Sequence, residues 1–326
     1  MTARVKPAAP PIARGQVPVR LGTRTSPLAM AQAHEVADRL RAAWPALAGD
    51  GGVEIVGLST RGDRILDRPL AALGGKGLFT EEIEAALRAG DIDIAVHSLK
   101  DVPTVLPDGF ELGAVLPREH AGDVWLSAGG RGLDALPAGA RVGTSGLRRQ
   151  AQILAYRPDL CVIPFRGNVQ TRLRKLAEGA AEATILAAAG LNRLGRTIAP
   201  DTLIPRTVMM PAVAQGAIGL EVRTGDTRTA ALLAPLHCSD SATQVTAERA
   251  FLRALDGSCR TPIAAHAILV DDTIQLEGFA SRADGTGAAR LMHTGPAGEP
   301  VAVGQALAVA IRAMLPADVL PELTQD

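Results

Sequence analysis

The residues able to do chemistry gather in three short stretches of the chain. One is His97-Ser98-Leu99-Lys100-Asp101-Val102-Pro103. It closes an apolar run at 92–97 that reads as a buried strand, and ligands of open α/β sheets meet the carboxyl ends of strands. A carboxylate placed there can shuttle a proton or stabilise a developing cation. Lys100 and Asp101 can equally pair with each other and serve structure alone. A second stretch is Gly257-Ser258-Cys259-Arg260-Thr261-Pro262. Cys259 falls in a loop beside an arginine, a setting that lowers a thiol's pKa and suits a nucleophile or an attachment point. Cys161, within Leu160-Cys161-Val162-Ile163, reads instead as core. In the third, residues 141–175, Arg141, Arg148, Arg149, Arg157, Arg166, Arg172, Arg174 and Lys175 face Asp159 alone, a net charge of +7. Arg148 and Arg149 open a helix, where cations oppose the macrodipole unless an anion lies between them and the helix amides. Either this is a solvated basic face or it lines a pocket for a polyanion.

Other patterns exclude chemistry. Gly74-Gly75-Lys76-Gly77 lacks the spaced first glycine and the Ser/Thr after lysine that a phosphate loop needs. Neither a zinc-protease helix motif nor a G-x-S-x-G elbow occurs, and the histidines are scattered, so no metal site is expected. The net charge is zero, with 34 basic and 34 acidic residues, and aromatic residues make up only 2%, which disfavours nucleic-acid binding by charge or by base stacking. Thirty of the basic residues are Arg and four are Lys, a bias toward the fork that suits carboxylates and phosphates. Cys161, Cys238 and Cys259 form no C-x-x-C pair and fit a reducing compartment. Residues 1–17 carry no apolar signal segment and read as a disordered tail, and no apolar run is long enough to span a membrane. A cytoplasmic location is therefore expected.

These residues must be held by a framework of two or three domains, since 326 residues exceed one ordinary core. A strand at 19–23 leads to a helix that Ser26 caps with Pro27 at its first position, running to about 43. A strand at 53–58 follows, then a helix from Thr80 to Gly90 and the strand at 92–97; this alternation predicts a parallel sheet. A second series repeats the plan: strand 141–144, helix 147–156, strand 160–165, a helix capped by Asn168 and ending near Gly179, strand 183–187 and a short helix ending at Gly195. Gly22-Thr23-Arg24-Thr25-Ser26 is echoed by Gly143-Thr144-Ser145-Gly146. The last part changes to a helix at 243–255, strands at 264–270 and 273–279 around Asp271-Asp272, and a helix at 305–314. Residues 205–217 read as a crossover back to the first unit.

Taken in order, the motifs resemble the porphobilinogen deaminase (hydroxymethylbilane synthase) family, over about 19–262 and more loosely beyond. The segments are Thr23-Arg24-Thr25-Ser26-Pro27-Leu28-Ala29, Thr60-Arg61-Gly62-Asp63, Gly74-Gly75-Lys76-Gly77-Leu78-Phe79, His97 to Pro103, Gly143 to Gln150, Arg166-Gly167-Asn168-Val169, Pro211 to Ala217 and Gly257-Ser258-Cys259. The resemblance implies two similar periplasmic-binding-protein-like α/β lobes with mixed sheets flanking a cleft, plus a small α+β C-terminal domain. The expected division is 18–117 with 212–236, 118–211, and 237–326. It implies a transferase, monomeric, with porphobilinogen as substrate. Cys259 would carry a dipyrromethane cofactor through a thioether. Four porphobilinogen units would be added in turn, each losing ammonia, and water would release hydroxymethylbilane. Asp101 matches the catalytic aspartate. Arg24, Lys76, Arg148, Arg149, Arg166, Arg172 and Arg193 would bind carboxylates of substrate or cofactor, and Lys100 cofactor acid groups. Ser26, Ser98, Thr144 and Ser145 would add hydrogen bonds. Asp63 and Phe79 would belong to a lid.

Two positions depart from the family pattern. Gly146 stands where a serine is common, and Ala214 where a glycine is common. Two other readings compete with the enzyme: an anion-binding module of two α/β lobes, and a Schiff-base enzyme acting through Lys100. The module needs neither Cys259 nor Asp101.

Overall fold

A computed structural model describes residues 18–64, 77–255 and 261–320. The expected tail at 1–17, Lys76 and Cys259 lie outside the described residues. The chain runs through β1 (Val19–Arg24), α1 (Pro27–Ala43), β2 (Val53–Leu58), α2 (Arg61–Arg64), α3 (Glu81–Ala89), β3 (Ile94–Ser98) and β4 (Phe110–Val115). It continues with β5 (Asp123–Ser127), β6 (Arg141–Gly143), α4 (Leu147–Tyr156), β7 (Cys161–Ile163), α5 (Val169–Ala177), β8 (Ala183–Ala187) and α6 (Ala188–Arg193). After β9 (Ile218–Arg223) and α7 (Thr227–Leu233) come α8 (Ser239–Ala254), β10 (Ile263–Val270), β11 (Thr273–Ala280), β12 (Ala289–Pro296) and α9 (Pro300–Met314).

The first sheet has the order β2-β1-β3-β9-β4 and the second β5-β8-β6-β7. In the first, β1 is parallel to β2 and β3, while β9 runs antiparallel to β3 and β4. In the second, β6 is parallel to β7 and β8, while β5 runs antiparallel to β8. The sheets are therefore mixed, not wholly parallel as the strand–helix alternation alone predicts. The reason is connectivity. β5 and β9 each arrive directly from the other sheet, without the helical crossover that a parallel neighbour requires.

Local signals explain the helices that frame the cleft. Ser26 accepts the Ala29 N–H at 3.3 Å and Pro27 occupies the first turn. Ala29, Ala33, Val36, Ala37 and Leu40 then form one buried stripe at helical spacing. Val36, Ala37 and Leu40 pack with Leu21, Ile94, Val96 and Leu220 of the first sheet, an aliphatic core of the kind the low aromatic content requires. Asn168 caps α5 through the Thr171 N–H, and Gly90 ends α3 with φ 78°.

The last part is an antiparallel meander, β10-β11-β12, with α8 and α9 against it. Phe251, Leu276, Leu307 and Ile311 are fully buried there. The two helices approach so closely that a Cβ at Gly304 would lie 2.3 Å from the Ala247 carbonyl oxygen. Two segments pass between the sheets, 116–122 outward and 205–217 back. They run against each other, with Leu116 N–H donating to Ile218 O and Glu119 N–H to Gly216 O. No described helix is long and apolar enough to cross a membrane.

Candidate functional site

The carboxyl ends of the parallel strands meet where the two sheets face each other. Arg24 is the last residue of β1, and the turn Leu99–Asp101 follows β3. Thr144 and Ser145 follow β6, Arg166 follows β7, and α6 starts directly at the end of β8. Leu28, Gln32, Ser98, Lys100, Arg193 and Gly216 border an open cavity here.

On one side stands Asp101, one-third exposed, with its Oδ2 3.9 Å from Arg24 Nη1. Arg24 also donates to both carboxylate oxygens of Asp63, through Nε at 3.1 Å and through Nη2, and lies 4.2 Å above the Phe79 ring. Asp63 further accepts the Thr60 hydroxyl at 2.7 Å. Burial opposes both charges. The Asp63 bond and the Asp101 and Asp63 carboxylates nevertheless raise the Arg24 pKa, while Arg24 and Thr60 hold Asp63 below the ordinary carboxylate range. Asp63 and Phe79, the expected lid residues, thus flank Arg24; residues 65–76 between them lie outside the described ones.

Lys100 and Asp101 do not pair with each other as a purely structural reading would have it. The Lys100 ammonium donates to Gln215 Oε1 at 3.3 Å. The Gln215 amide nitrogen donates in turn to Ala121 O at 2.6 Å and to Asp123 Oδ1 at 3.1 Å. Asp123 is fully buried between two guanidiniums, with Arg148 Nη1 at 2.7 Å and Arg149 Nη2 at 2.6 Å. The anion that two arginines at a helix start call for is therefore supplied by the protein itself. Despite burial, this pair drives the Asp123 pKa far below the usual carboxylate range. Lys100 opens its surface to the cleft, yet the enclosing walls, helped by Arg149 and Arg148 and opposed by Asp101 and Asp123, push its pKa down to about 8.

The basic segment divides in space. Arg141 pairs with Glu182, Arg157 with Asp159 and Arg174 with Glu178, all away from the cleft, so the +7 of the sequence overstates the charge that reaches the site. Arg172 does reach it. Burial, with Arg149 and Arg166 nearby and Asp101 opposing, pushes its pKa down to about 10. Its Nε donates to Gly167 O at 2.9 Å, and Lys175 donates to Arg166 O at 3.1 Å. Among the described residues, no carboxylate lies within ion-pair distance of Arg172 or Lys100.

The remaining expected contacts are partly engaged. Ser98 and Gln32 bond each other through their side chains at 2.9 and 3.1 Å. Ser145 accepts the Phe165 N–H at 2.8 Å, and Thr144 the Gly146 N–H at 3.3 Å. The Ser145 and Thr144 hydroxyls keep their O–H for donation, whereas the Ser98 O–H is engaged by Gln32 Oε1. Arg193 donates to Glu35 at 3.1 Å and to Gly216 O at 3.0 Å. At Gly146 the space is open, because a Cβ would meet only Thr144 Oγ1, at 3.9 Å. Asp123 and Gln32 carry no sequence signal that links them to the site, and Gln215 stands in the sequence only within the crossover motif Pro211 to Ala217.

Comparison with known proteins gives consistent results. A family model described as "Porphobilinogen deaminase, dipyromethane cofactor binding domain" matches residues 19–231, and one described as "Porphobilinogen deaminase, C-terminal domain" matches 242–313. The chain is 54% identical over 303 residues to a porphobilinogen deaminase of Paracoccus denitrificans, covering 93% of this chain and 96% of that one. It is 52% identical over 279 residues to a chloroplastic porphobilinogen deaminase of Oryza sativa, covering 85% and 78%. Among solved structures, a putative methionine-binding lipoprotein from Bacillus subtilis aligns with a TM-score of 0.41 at 13% identity, over 68% of this chain and 91% of that one. The Bordetella pertussis BvgS periplasmic VFT2 domain aligns with a TM-score of 0.38 at 16% identity, over 67% and 86%.

Proposed function

We propose, from the premise that this chain belongs to the porphobilinogen deaminase family, that it is a transferase condensing porphobilinogen units stepwise on a primer held by Cys259. The observation that carries the residue-level reading is the cleft's excess positive charge. Lys100 and Arg172 have no described carboxylate within ion-pair distance, and the pKa of each is pushed down where an anion would restore it. Porphobilinogen brings an acetate and a propionate, so a chain that grows on the enzyme accumulates carboxylates. Bidentate arginine forks hold such groups well.

The dipyrromethane group fits these residues, because its acid side chains need several cations and its ring N–H groups need an acceptor. When bound, it supplies the nucleophilic pyrrole carbon to which the next unit is joined. Arg166, Arg172 and Lys100 hold carboxylates. Arg148 and Arg149 do so from a pair that Asp123 keeps aligned, and Arg24 and Arg193 from the first sheet's side. Lys76 is assigned the same task from its motif. Ser26, Thr144 and Ser145 orient acid groups through their O–H, and Ser98 does so only by turning its O–H away from Gln32. Asp101 accepts pyrrole N–H groups and stabilises positive charge at the substrate ring nitrogen as ammonia leaves, then passes the proton on. Asp63 and Phe79 shape the wall around Arg24. We further assign a cytoplasmic monomer, and domains at 18–117 with 212–236, 118–211, and 237–326.

The test is the intact mass of the purified protein beside Cys259→Ser. An excess equal to two linked pyrrole units in the wild type, absent from the variant, is expected. A wild type that stays unmodified after incubation with porphobilinogen overturns the reading in favour of an anion-binding module.

A further inference from the structure

Asp101 is held in place in an unusual way for a residue assigned to proton transfer and charge stabilisation. Among the described residues its carboxylate accepts no hydrogen bond, and its one close partner is Arg24 at 3.9 Å. Its position is therefore set by the main chain around it. That main chain is pinned from two sides. The Leu99 N–H donates to Ala217 O at 3.0 Å, and the Val102 N–H closes the turn onto Leu99 O at 3.2 Å. Beyond the turn, Arg249 of α8 donates through Nη1 to Val102 O at 3.0 Å and through Nη2 to Pro103 O at 2.6 Å.

Arg249 is not a salt-bridge residue. No described carboxylate lies within ion-pair distance of it, and burial, with Glu221 opposing, pushes its pKa down to about 10. A half-buried guanidinium spent on two consecutive carbonyls, with no carboxylate to offset its desolvation, fits a stretch of backbone that must be fixed. The geometry also uses what distinguishes arginine from lysine, a planar fork that reaches two acceptors at once. Its placement matters as well. α8 ends at Ala254, and the chain passes from there to Cys259 within a few residues. Arg249 therefore joins the segment leading to the cofactor anchor with the turn bearing the aspartate.

We propose that Arg249 is a positioning residue for Asp101, whose fork on the Val102 and Pro103 carbonyls ties the turn bearing the catalytic carboxylate to α8. This rests on the assignment of Asp101 and Cys259 above. Among the described residues Arg249 bonds only the main chain beyond the Asp101 turn and none of the carboxylate-binding arginines, so its loss is expected in the chemical step more than in substrate affinity.

The experiment compares holoenzyme carrying Arg249→Lys or Arg249→Gln, alone and with Asp101→Glu, by intact mass, thermal midpoint and steady-state kinetics with porphobilinogen. Lysine keeps the charge and the aliphatic stem but loses the fork, so it guards against simple loss of folding. The expected result is a holoenzyme mass equal to wild type, kcat lower by about 10- to 100-fold and KM changed by less than about twofold. In the Asp101→Glu background, where the carboxylate is already displaced, the Arg249 effect should largely vanish. Normal kcat in Arg249→Lys, or a loss of the same size in both backgrounds, overturns the proposal. So does a variant whose only change is a lower thermal midpoint. Failure of the underlying assignment looks different: Asp101→Asn holoenzyme would then turn over at nearly the wild-type rate.

Discussion

At the scale of single residues, the central fact is that one buried carboxylate organises two arginines assigned to ligand binding. Asp123 has no exposed surface, and Arg148, Arg149 and Gln215 all converge on it. Removing one partner of a buried ion network leaves the others uncompensated, so Asp123→Ala should lower stability by roughly 3–5 kcal/mol. A denaturant titration checks this, through a lower midpoint at an unchanged slope. A smaller effect than that of an ordinary surface substitution would mean the two guanidiniums find other partners, and Asp123 would lose its organising role. Arg148, Arg149, Lys100 and Asp101 were legible in the sequence, because charge density and a polar turn after an apolar run are local patterns. Asp123 was not. It opens β5, distant in sequence from the arginines, and only the pairing of β5 with β8 brings it under α4. Half of the site's charge logic was thus hidden in a residue that a sequence pattern cannot connect to its partners.

The elements tell the same story one level up. Both sheets share one plan, two parallel strands beside a central one and an antiparallel strand next to the third: β2-β1-β3-β9 and β7-β6-β8-β5. The echo between Gly22-Thr23 and Gly143-Thr144 announced it, because the turn after a first strand is written in local chemistry. The resemblance implies mixed sheets, as found, but the spans of the antiparallel strands β5 and β9 carry no local signal of their own. β9 carries the buried Glu221, which bonds His97 at 2.8 Å, and β5 opens on the buried Asp123; a charge inside or at the head of an apolar run reads as a surface break. α9 begins at Pro300 and not at 305, a start that a proline at the first helical position should have flagged. The departure at Ala214 now has a physical account. Its φ of 58° lies in the left-handed region, which strains any residue with a Cβ and explains why glycine is common there. Ala214→Gly should therefore raise stability by about 1 kcal/mol, seen as a thermal midpoint higher by about 2 °C. An unchanged or lower midpoint would show that the segment's other bonds already absorb the strain.

For the molecule as a whole, the question is what joins two sheet units and a third body without freezing the cleft between them. The answer on the structure is one buried carboxylate, Glu248. Arg118, from the outgoing segment, bonds it through Nη1 at 2.6 Å and Nη2 at 3.1 Å. Ala214, from the returning segment, donates its N–H at 2.7 Å, and Ala267 of β10 donates at 2.8 Å. Both connecting segments are thus tied to the third body at one carboxylate. Burial penalises the Glu248 charge, but Arg118 and His266 outweigh that and bring its pKa down from the ordinary 4.5 to about 2. A carboxyl whose folded pKa lies below its unfolded one contributes stability that is complete above about pH 5 and is lost as pH falls toward 2. The shift corresponds to roughly 3 kcal/mol. Glu248→Gln should accordingly be less stable than wild type at pH 7 by an amount of that order, and the gap should shrink steadily between pH 5 and 2. Paired chemical-denaturation curves across that range measure it. A gap that stays constant with pH would mean that Glu248 joins the three bodies through packing and main-chain bonds alone, and the ionic pin would have to be abandoned. A gap that closes would mean that protonating one carboxyl weakens the ties of both connecting segments to the third body at once, leaving the main-chain bonds between the segments to hold them together.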